Sequence, residues 1–310
     1  MRMINLKDKI KVTIAQFSDQ SIDKCSITYN SNFESQFEPE NKIKYNYPKK
    51  QLEKFFKALN VASKENADFL IFPELFMPSD YVNKYVSTSS QKHSIIIIGG
   101  MEWNHHQTIN GKKYIRNQGF ISLPIVNDNS SQNYYTKAHV LFFSKLYPAP
   151  TEMEYLSKNG YYFENGNKVF LFSSKKFGNW AILICIDYLN LPIQVLLQGK
   201  IQTLFVIAYN KDVEYYYSLS DSLHRILLCN IVVCNTGVFG GSHAYTPLRK
   251  KHLRNVFQTR GNDVNTAVTI ELPIKQLKEE QKCKKQYSNS LFIKKSPDYG
   301  FLSGKRIKYE

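Results

Sequence analysis

Four residues of types suited to acid–base or nucleophilic chemistry stand near the ends of apolar runs, where loops on a rigid scaffold present functional groups. Glu74 closes DFLIFPEL, a carboxylate following an apolar run and a proline that stops the strand. A charge there is costly unless it is used or paired; the plainer reading is a strand-end glutamate turned to water. Cys185 lies in AILICIDYLN, at a strand end, with Asp187 two residues on and a helix expected after Pro192. A thiol at such a strand-to-helix elbow can reach a sheet rim, where a neighbouring cation lowers its pKa or a base takes its proton. Taken alone it reads as a small buried hydrophobe. Lys145 and Glu152 bracket the proline-containing loop KLYPAPTE. A lysine ammonium there could stabilise charge developing on a tetrahedral intermediate, with the second carboxylate holding it in place; two solvated surface charges are the alternative.

Other groups carry less. His105 and His106, in EWNHHQ, have no third ligand at metal spacing and read as surface residues of a polar loop. His224 and Arg225 sit in a helical pattern. FGGSHAY at 239–245 is a tight glycine turn that could bring Ser242 or His243 toward a pocket, without the strand–glycine–helix context of a phosphate loop.

The elements that must position these residues follow from hydrophobic period. IKVTIAQ (10–16) alternates as a strand, and residues 18–50 are polar and aperiodic, a long surface loop. In QLEKFFKALNVASKENA the helical spacing puts Leu52, Phe55, Phe56, Leu59 and Val61 on one face, and the buried-strand pattern DFLIFPE follows. SIIIIGG (94–100) is another buried strand, and 119–126 with 134–143 make two strands around NDNSS. Segments 168–173 and 179–186 form a strand pair across KKFG, QVLLQGK a short helix, TLFVIAYN a strand, 212–229 a helix and NIVVCN the next strand. Beyond Gly261 there is one further strand, TAVTIEL, and then a basic tail without period. Apolar strands alternating with helices predict a mixed sheet covered by helices.

Composition bounds the class. At 310 residues the chain can bury one large core, and a single α/β domain is the simplest division. It has no apolar run of about eighteen residues and no secretory h-region, so the expectation is a cytoplasmic protein with no membrane association. Five cysteines without paired spacing argue against structural zinc and a disulfide scaffold. The excess of 41 Lys+Arg over 26 Asp+Glu, a net +15, could attract polyanions. The same chain is rich in Asn, Ile and Tyr, as an A/T-rich genome would produce without selection for nucleic acid.

Taken in order, FPEL at 72–75, a lysine followed within a short loop by glutamate, and LICID at 183–187 resemble the Glu-Lys-Cys constellation of the nitrilase superfamily of carbon–nitrogen hydrolases. The resemblance spans roughly residues 9–272, from AQ at 15–16 through IIIIGG and LFVIAYN to VVCN at 232–235 and GGS at 240–242. It implies an α/β fold, a single-domain α-β-β-α sandwich over residues 1–275 with a basic C-terminal extension over 276–310. Two chains would pack helix layer to helix layer as αββααββα, with no metal or organic cofactor. Carried across, Glu74 is the general base, Cys185 the nucleophile that forms a thioester with an amide, carbamoyl or nitrile substrate, and Glu152 the second carboxylate. For the lysine, Lys145 is preferred, because a seven-residue loop puts it and Glu152 at one mouth. Lys137, in YYTKAHV, is similar to the family's Tyr-Arg-Lys-x-His-Leu strand end and is the alternative; the two share strand parity. Ile186 stands where an aromatic is usual, HRILLCN replaces an Arg-x-x-Glu-Asn run, and 18–50 is an insertion; these departures leave the substrate open. A second reading is a nitrilase-like module of a larger assembly, similar to those found beside reverse transcriptases in bacterial defence systems, binding a protein or nucleic-acid partner through its basic surface.

Overall fold

The computed structural model describes residues 6–18, 48–125, 136–282 and 290–293. Most of the expected 18–50 loop, the NDNSS turn and the far basic tail lie outside the described residues.

The chain begins with β1 (Lys9–Gln16) and continues, from the next described segment, with α1 (Pro48–Lys64) and β2 (Phe69–Ile71). Then come α2 (Ser79–Tyr81), a π-helical turn and α3 (Ser87–His93), followed by β3 (Ile96–Gly100), β4 (Asn104–Ile109), β5 (Lys112–Arg116), β6 (Gln118–Leu123) and β7 (His139–Ser144). After α4 (Pro150–Lys158) come β8 (Tyr161–Phe163), β9 (Leu171–Ser174) and β10 (Gly178–Ile184), then a 3-10 turn (Cys185–Leu189) and α5 (Leu191–Leu197). The remainder is β11 (Thr203–Ala208), α6 (Val213–Ile226), β12 (Asn230–Asn235), β13 (His243–Tyr245), β14 (Asn255–Gln258), β15 (Thr266–Pro273) and α7 (Lys275–Lys282).

Two six-stranded sheets form, in the orders β15-β1-β2-β3-β6-β7 and β14-β13-β12-β11-β10-β9. Strand alternation shows how they pack. Val12, Ile14, Phe69, Ile71, Ile96 and Ile98 join Ile182, Ile184 and Phe205 in one core between the sheets. The intervening Leu70, Phe72 and Ile97 point the other way, into a second core with Phe55, Ala58, Leu59 and Ala62 of α1. The helix face is therefore 55/58/59/62; Phe56, expected on it, is exposed because one residue's step of about 100° carries it off that face. On the far side of the second sheet α5 and α6 bury Ile193, Leu197, Tyr216, Leu223 and Leu227. Helices thus cover both outer faces of the paired sheets.

Two regions read as loops are strands. Residues 104–116 form the β4–β5 hairpin, joined by β8 into a small third sheet, and His243–Tyr245 supplies β13. β4 is almost wholly polar and β13 only three residues long, so neither offers the apolar run by which a strand is recognised. In the segment read as an aperiodic tail, α7 buries Leu277, and Gln281 bonds the carbonyls of Ile201 at 2.8 Å and Leu228 at 2.7 Å.

Strand direction decides where the chemistry gathers. β2 and β3 run parallel, β6 runs against β3, and β7 runs against β6. The C-terminal ends of β2, β3 and β7 and the N-terminal end of β6 therefore share one edge. In the second sheet β10 and β11 run parallel, so Cys185 and Tyr209 emerge at one edge as well.

Candidate active site

Glu74 follows β2 through Phe72 and Pro73. Gly100 makes room for it: a Cβ at that position would lie 2.5 Å from the Glu74 Cα, so only glycine allows the end of β3 to approach so closely. The Gly100 N–H bonds the Pro73 carbonyl at 3.0 Å, tying the Glu74 loop to that strand.

Lys145 follows β7 directly. Its N–H bonds the Asn117 carbonyl at 2.8 Å, and its carbonyl accepts from Gly166 N–H at 2.8 Å. The next two amides, of Leu146 and Tyr147, donate to the Asp187 carboxylate at 2.9 Å and 3.1 Å. Because Asp187 lies two residues after Cys185, this clamp links the backbone behind the lysine to the turn bearing the thiol. Burial pushes the Asp187 carboxyl up to about 7, against the pull of those amides and of Lys145.

Glu152 is the third helical residue of α4, where a carboxylate meets the free N–H groups of a helix start. Its Oε2 accepts from Ala149 N–H at 3.1 Å, and Pro150 begins the helix without wasting a donor. Trp103, Ile115, Leu156 and Tyr161 pack as a satellite core that seats α4 on the small sheet.

These pieces close on one ammonium. Lys145, 2% exposed, puts Nζ 2.8 Å from Glu74 Oε1 and 2.7 Å from Glu152 Oε2. Asn117 Nδ2 bridges the same two carboxylates at 2.8 Å and 2.6 Å, and Trp103 Nε1 adds a bond to Glu152 at 2.9 Å. Burial disfavours the Lys145 ammonium, but Glu74 and Glu152 outweigh it and hold its pKa well above the ordinary lysine value. Burial likewise raises Glu152, and Lys145, Asn117 and Trp103 reverse the sign and lower it. A buried charge cluster of this kind persists only when each member is paired and hydrogen-bonded. Among the described residues Asn117 Oδ1 has no hydrogen-bond partner.

Cys185 enters from the other sheet. It has a left-handed φ of 47°, an uncommon conformation for a non-glycine residue and one found at strained functional turns. Glu74 Oε2 accepts from Tyr209 N–H at 2.9 Å, which joins the two sheets at the site. The Tyr216 hydroxyl lies 3.6 Å from Sγ. Burial and the Glu74 charge push the Cys185 thiol up to about 12; Lys145, the Tyr209 amide and the Tyr216 hydroxyl act the other way. At neutral pH this is a thiol that needs a base.

The structure thus brings Glu74, Lys145, Glu152 and Cys185 together. Lys137 is exposed on a bend before β7, separated from the cluster by that strand's length, roughly 20 Å for six residues. Ser242 and His243 are absorbed into the interior: Ser242 Oγ accepts from Asn235 N–H at 2.9 Å, and His243 Nε2 meets Ser220 Oγ at 2.7 Å. His106 faces Glu164 at 3.7 Å on the small sheet. Among the described residues no group of three His, Cys, Asp or Glu side chains is placed to hold a metal. Asn117, Trp103 and Tyr209 escaped the sequence reading, since none stands in a spacing that signals chemistry; their roles arise from contacts across 35 to 135 residues of chain.

No family model and no curated protein matches the chain by sequence. Solved structures do match by shape. Saccharomyces cerevisiae Nit3, a member of branch 10 of the nitrilase superfamily, is 16% identical, with 89% of this chain and 93% of that one covered and a TM-score of 0.60. An amidase of Nesterenkonia AN1 from the same superfamily is 11% identical, covering 90% and 97% at a TM-score of 0.57. A variant of the Nesterenkonia sp. AN1 amidase, carrying acrylamide added to its active-site cysteine, is 12% identical, covering 85% and 93% at 0.55. At these identities the likeness is one of fold: the chain has the fold of the nitrilase superfamily.

Proposed function

We propose that this protein hydrolyses a non-peptide carbon–nitrogen bond, in an amide, carbamoyl or nitrile substrate, through a thioester on Cys185. The observation that carries the reading is the Lys145 ammonium held between Glu74 and Glu152 within the electrostatic reach of the Cys185 thiol. With an amide, Glu74 takes the thiol proton as Cys185 attacks the carbonyl carbon. Lys145 and a backbone N–H after Cys185 stabilise the oxyanion, and Glu152 keeps the lysine charged and aimed. The protonated base then gives its proton to the leaving nitrogen. Glu74 next removes a proton from water, which attacks the thioester and releases the acid. The high thiol pKa supports this order, because the thiol ionises only as the base receives its proton.

Two measurements test the reading. Acrylamide, or the acetamide moiety of fluoroacetamide, each found added to the active-site cysteine of a glutamate-substituted variant of the Nesterenkonia amidase, should add one mass increment to the intact protein, mapped to Cys185. Cys185→Ala should lose both the adduct and amide turnover while remaining folded by circular dichroism; a fully active Cys185→Ala variant would end the proposal.

The reading extends to a homodimer through the α5–α6 layer. Leu191, Val195 and Leu196 on α5 and Ile226 on α6 are 66%, 54%, 57% and 50% exposed, and Gln198 Nε2 donates to the Ile226 carbonyl at 3.0 Å, tying the two helices. A clustered apolar surface marks an interaction site more often than scattered residues do. Cys185, Cys229 and Cys234 are free thiols, in keeping with a reducing cytoplasm.

A further inference from the structure

Tyr216 stands in the first turn of α6 and donates its hydroxyl to Cys185 Sγ across 3.6 Å. Its ring is buried and met by Tyr188 at 5.7 Å between centroids with the planes 61° apart, so packing holds the ring that carries the hydroxyl. Core filling alone would be served as well by phenylalanine. Two of the three Lys145 N–H groups go to carboxylates and the third is the one proposed for the oxyanion, while the side-chain hydrogen bond to the sulfur comes from α6. Burial, and then Cys185 itself, hold the Tyr216 phenol far above its ordinary range, so its proton stays on oxygen and it acts as a donor throughout.

The geometry points to Tyr216 as a further catalytic residue, whose hydroxyl solvates the Cys185 sulfur whenever that atom carries negative charge. This rests on Cys185 being the nucleophile proposed above. In the first half of the reaction the S–H proton passes to Glu74, the S–C bond forms and the carbonyl electron pair moves to oxygen. Collapse then breaks the C–N bond, and nitrogen takes the proton from Glu74. In the second half Glu74 takes a proton from water, the O–C bond forms and the S–C pair returns to sulfur. The thiolate leaves into the Tyr216 hydrogen bond until Glu74 reprotonates it. Tyr216 gains and loses no proton, and its contribution is to the charge on sulfur in both halves.

The test is the rate at which iodoacetamide alkylates Cys185 in the full chain, followed by peptide mass between pH 7 and 10, in the wild type, Tyr216→Phe and Tyr188→Phe. A lost hydrogen bond to a charged partner lowers the thiolate fraction about tenfold, and the more basic thiolate regains about threefold in nucleophilicity. Throughout this range, well below the thiol pKa of about 12, the rate rises about tenfold per pH unit, so Tyr216→Phe should slow alkylation about threefold at every pH, which displaces the profile upward by about half a pH unit. Tyr188→Phe, which removes the hydroxyl of the neighbouring ring, should leave the profile in place. An unmoved profile in Tyr216→Phe, or an equal shift in Tyr188→Phe, would overturn the inference and assign Tyr216 to packing. Alkylation reads the thiol without any substrate, so it can fail while amide turnover still depends on Cys185. Conversely, an active Cys185→Ala would sink the hydrolase reading whatever the alkylation profile shows.

Discussion

A lysine buried between two carboxylates is stable only while all three charges are present, and this makes the site's residues separable by experiment. Lys145→Ala removes the proposed oxyanion donor and should lower turnover about 100- to 1000-fold. Lys137→Ala, on its exposed bend, should leave turnover of the same amide substrate at the wild-type rate; a collapse in Lys137→Ala with an active Lys145→Ala would reverse the assignment. Glu152 gives a pH test. Its folded pKa lies below the ordinary 4.5, so its stabilising contribution is complete above about pH 4.5 and is lost as pH falls through the lowered value. Lys145, raised above 10.5, keeps its contribution until pH climbs beyond that. Glu152→Gln should therefore unfold at lower urea at pH 7, by about 3 kcal/mol for a broken buried pair, and the gap to the wild type should close below pH 4. A gap unchanged down to pH 3 would mean that the Glu152 charge contributes nothing.

At the scale of elements, the site depends on how closely strand ends can approach. β3 ends in a glycine pair, and the second glycine lies where the Glu74 backbone must pass. Gly100→Ala places a methyl group in contact with that backbone, which cannot yield as a side chain could. The expected result is a loss of about 1 to 3 kcal/mol by chemical denaturation, with turnover falling further than global stability because Glu74 is displaced. A Gly100→Ala protein with full activity would show that the Glu74 loop adapts freely. The helices contribute in the same positional way. α4 presents Glu152 from its first turn, and α6 presents Tyr216 from its own, so each functional side chain is aimed by the direction in which its helix starts.

For the whole molecule, the two sheets each supply half of the site. Glu74, Asn117 and Lys145 come from the first sheet, Cys185 and Tyr209 from the second, and the Glu74–Tyr209 bond closes the seam. Function is therefore tied to the integrity of the sandwich core. The exposed α5–α6 layer sets the proposed assembly. Sedimentation at micromolar concentration should return twice the 36.1 kDa chain mass, and Leu196→Glu should return the single-chain value with the far-ultraviolet spectrum intact. A wild-type protein that sediments as a single chain would refute the dimer.

Hydrophobic period placed the central strands and the two long helices, because burial on one or both faces imprints a local repeat of 2 or 3.6 residues that survives without knowledge of partners. The order Glu74, Lys145, Glu152, Cys185 along the chain was legible for a similar reason, as short motifs at strand ends. The hairpin of β4 and β5, the strand at His243–Tyr245 and helix α7 were not, since a mostly polar hairpin, a three-residue strand and a single buried leucine leave too weak a local trace. Which lysine stands between the carboxylates could not be read from parity, which Lys137 and Lys145 share. The antiparallel course of β7 decided it, by carrying Lys145 to the edge that Glu74 occupies and leaving Lys137 at the other. Asn117, Trp103, Tyr209 and the Tyr216 hydroxyl acquired their places only in three dimensions, because a hydrogen bond between distant residues depends on sheet order and strand direction, neither of which is written in any local stretch of the chain.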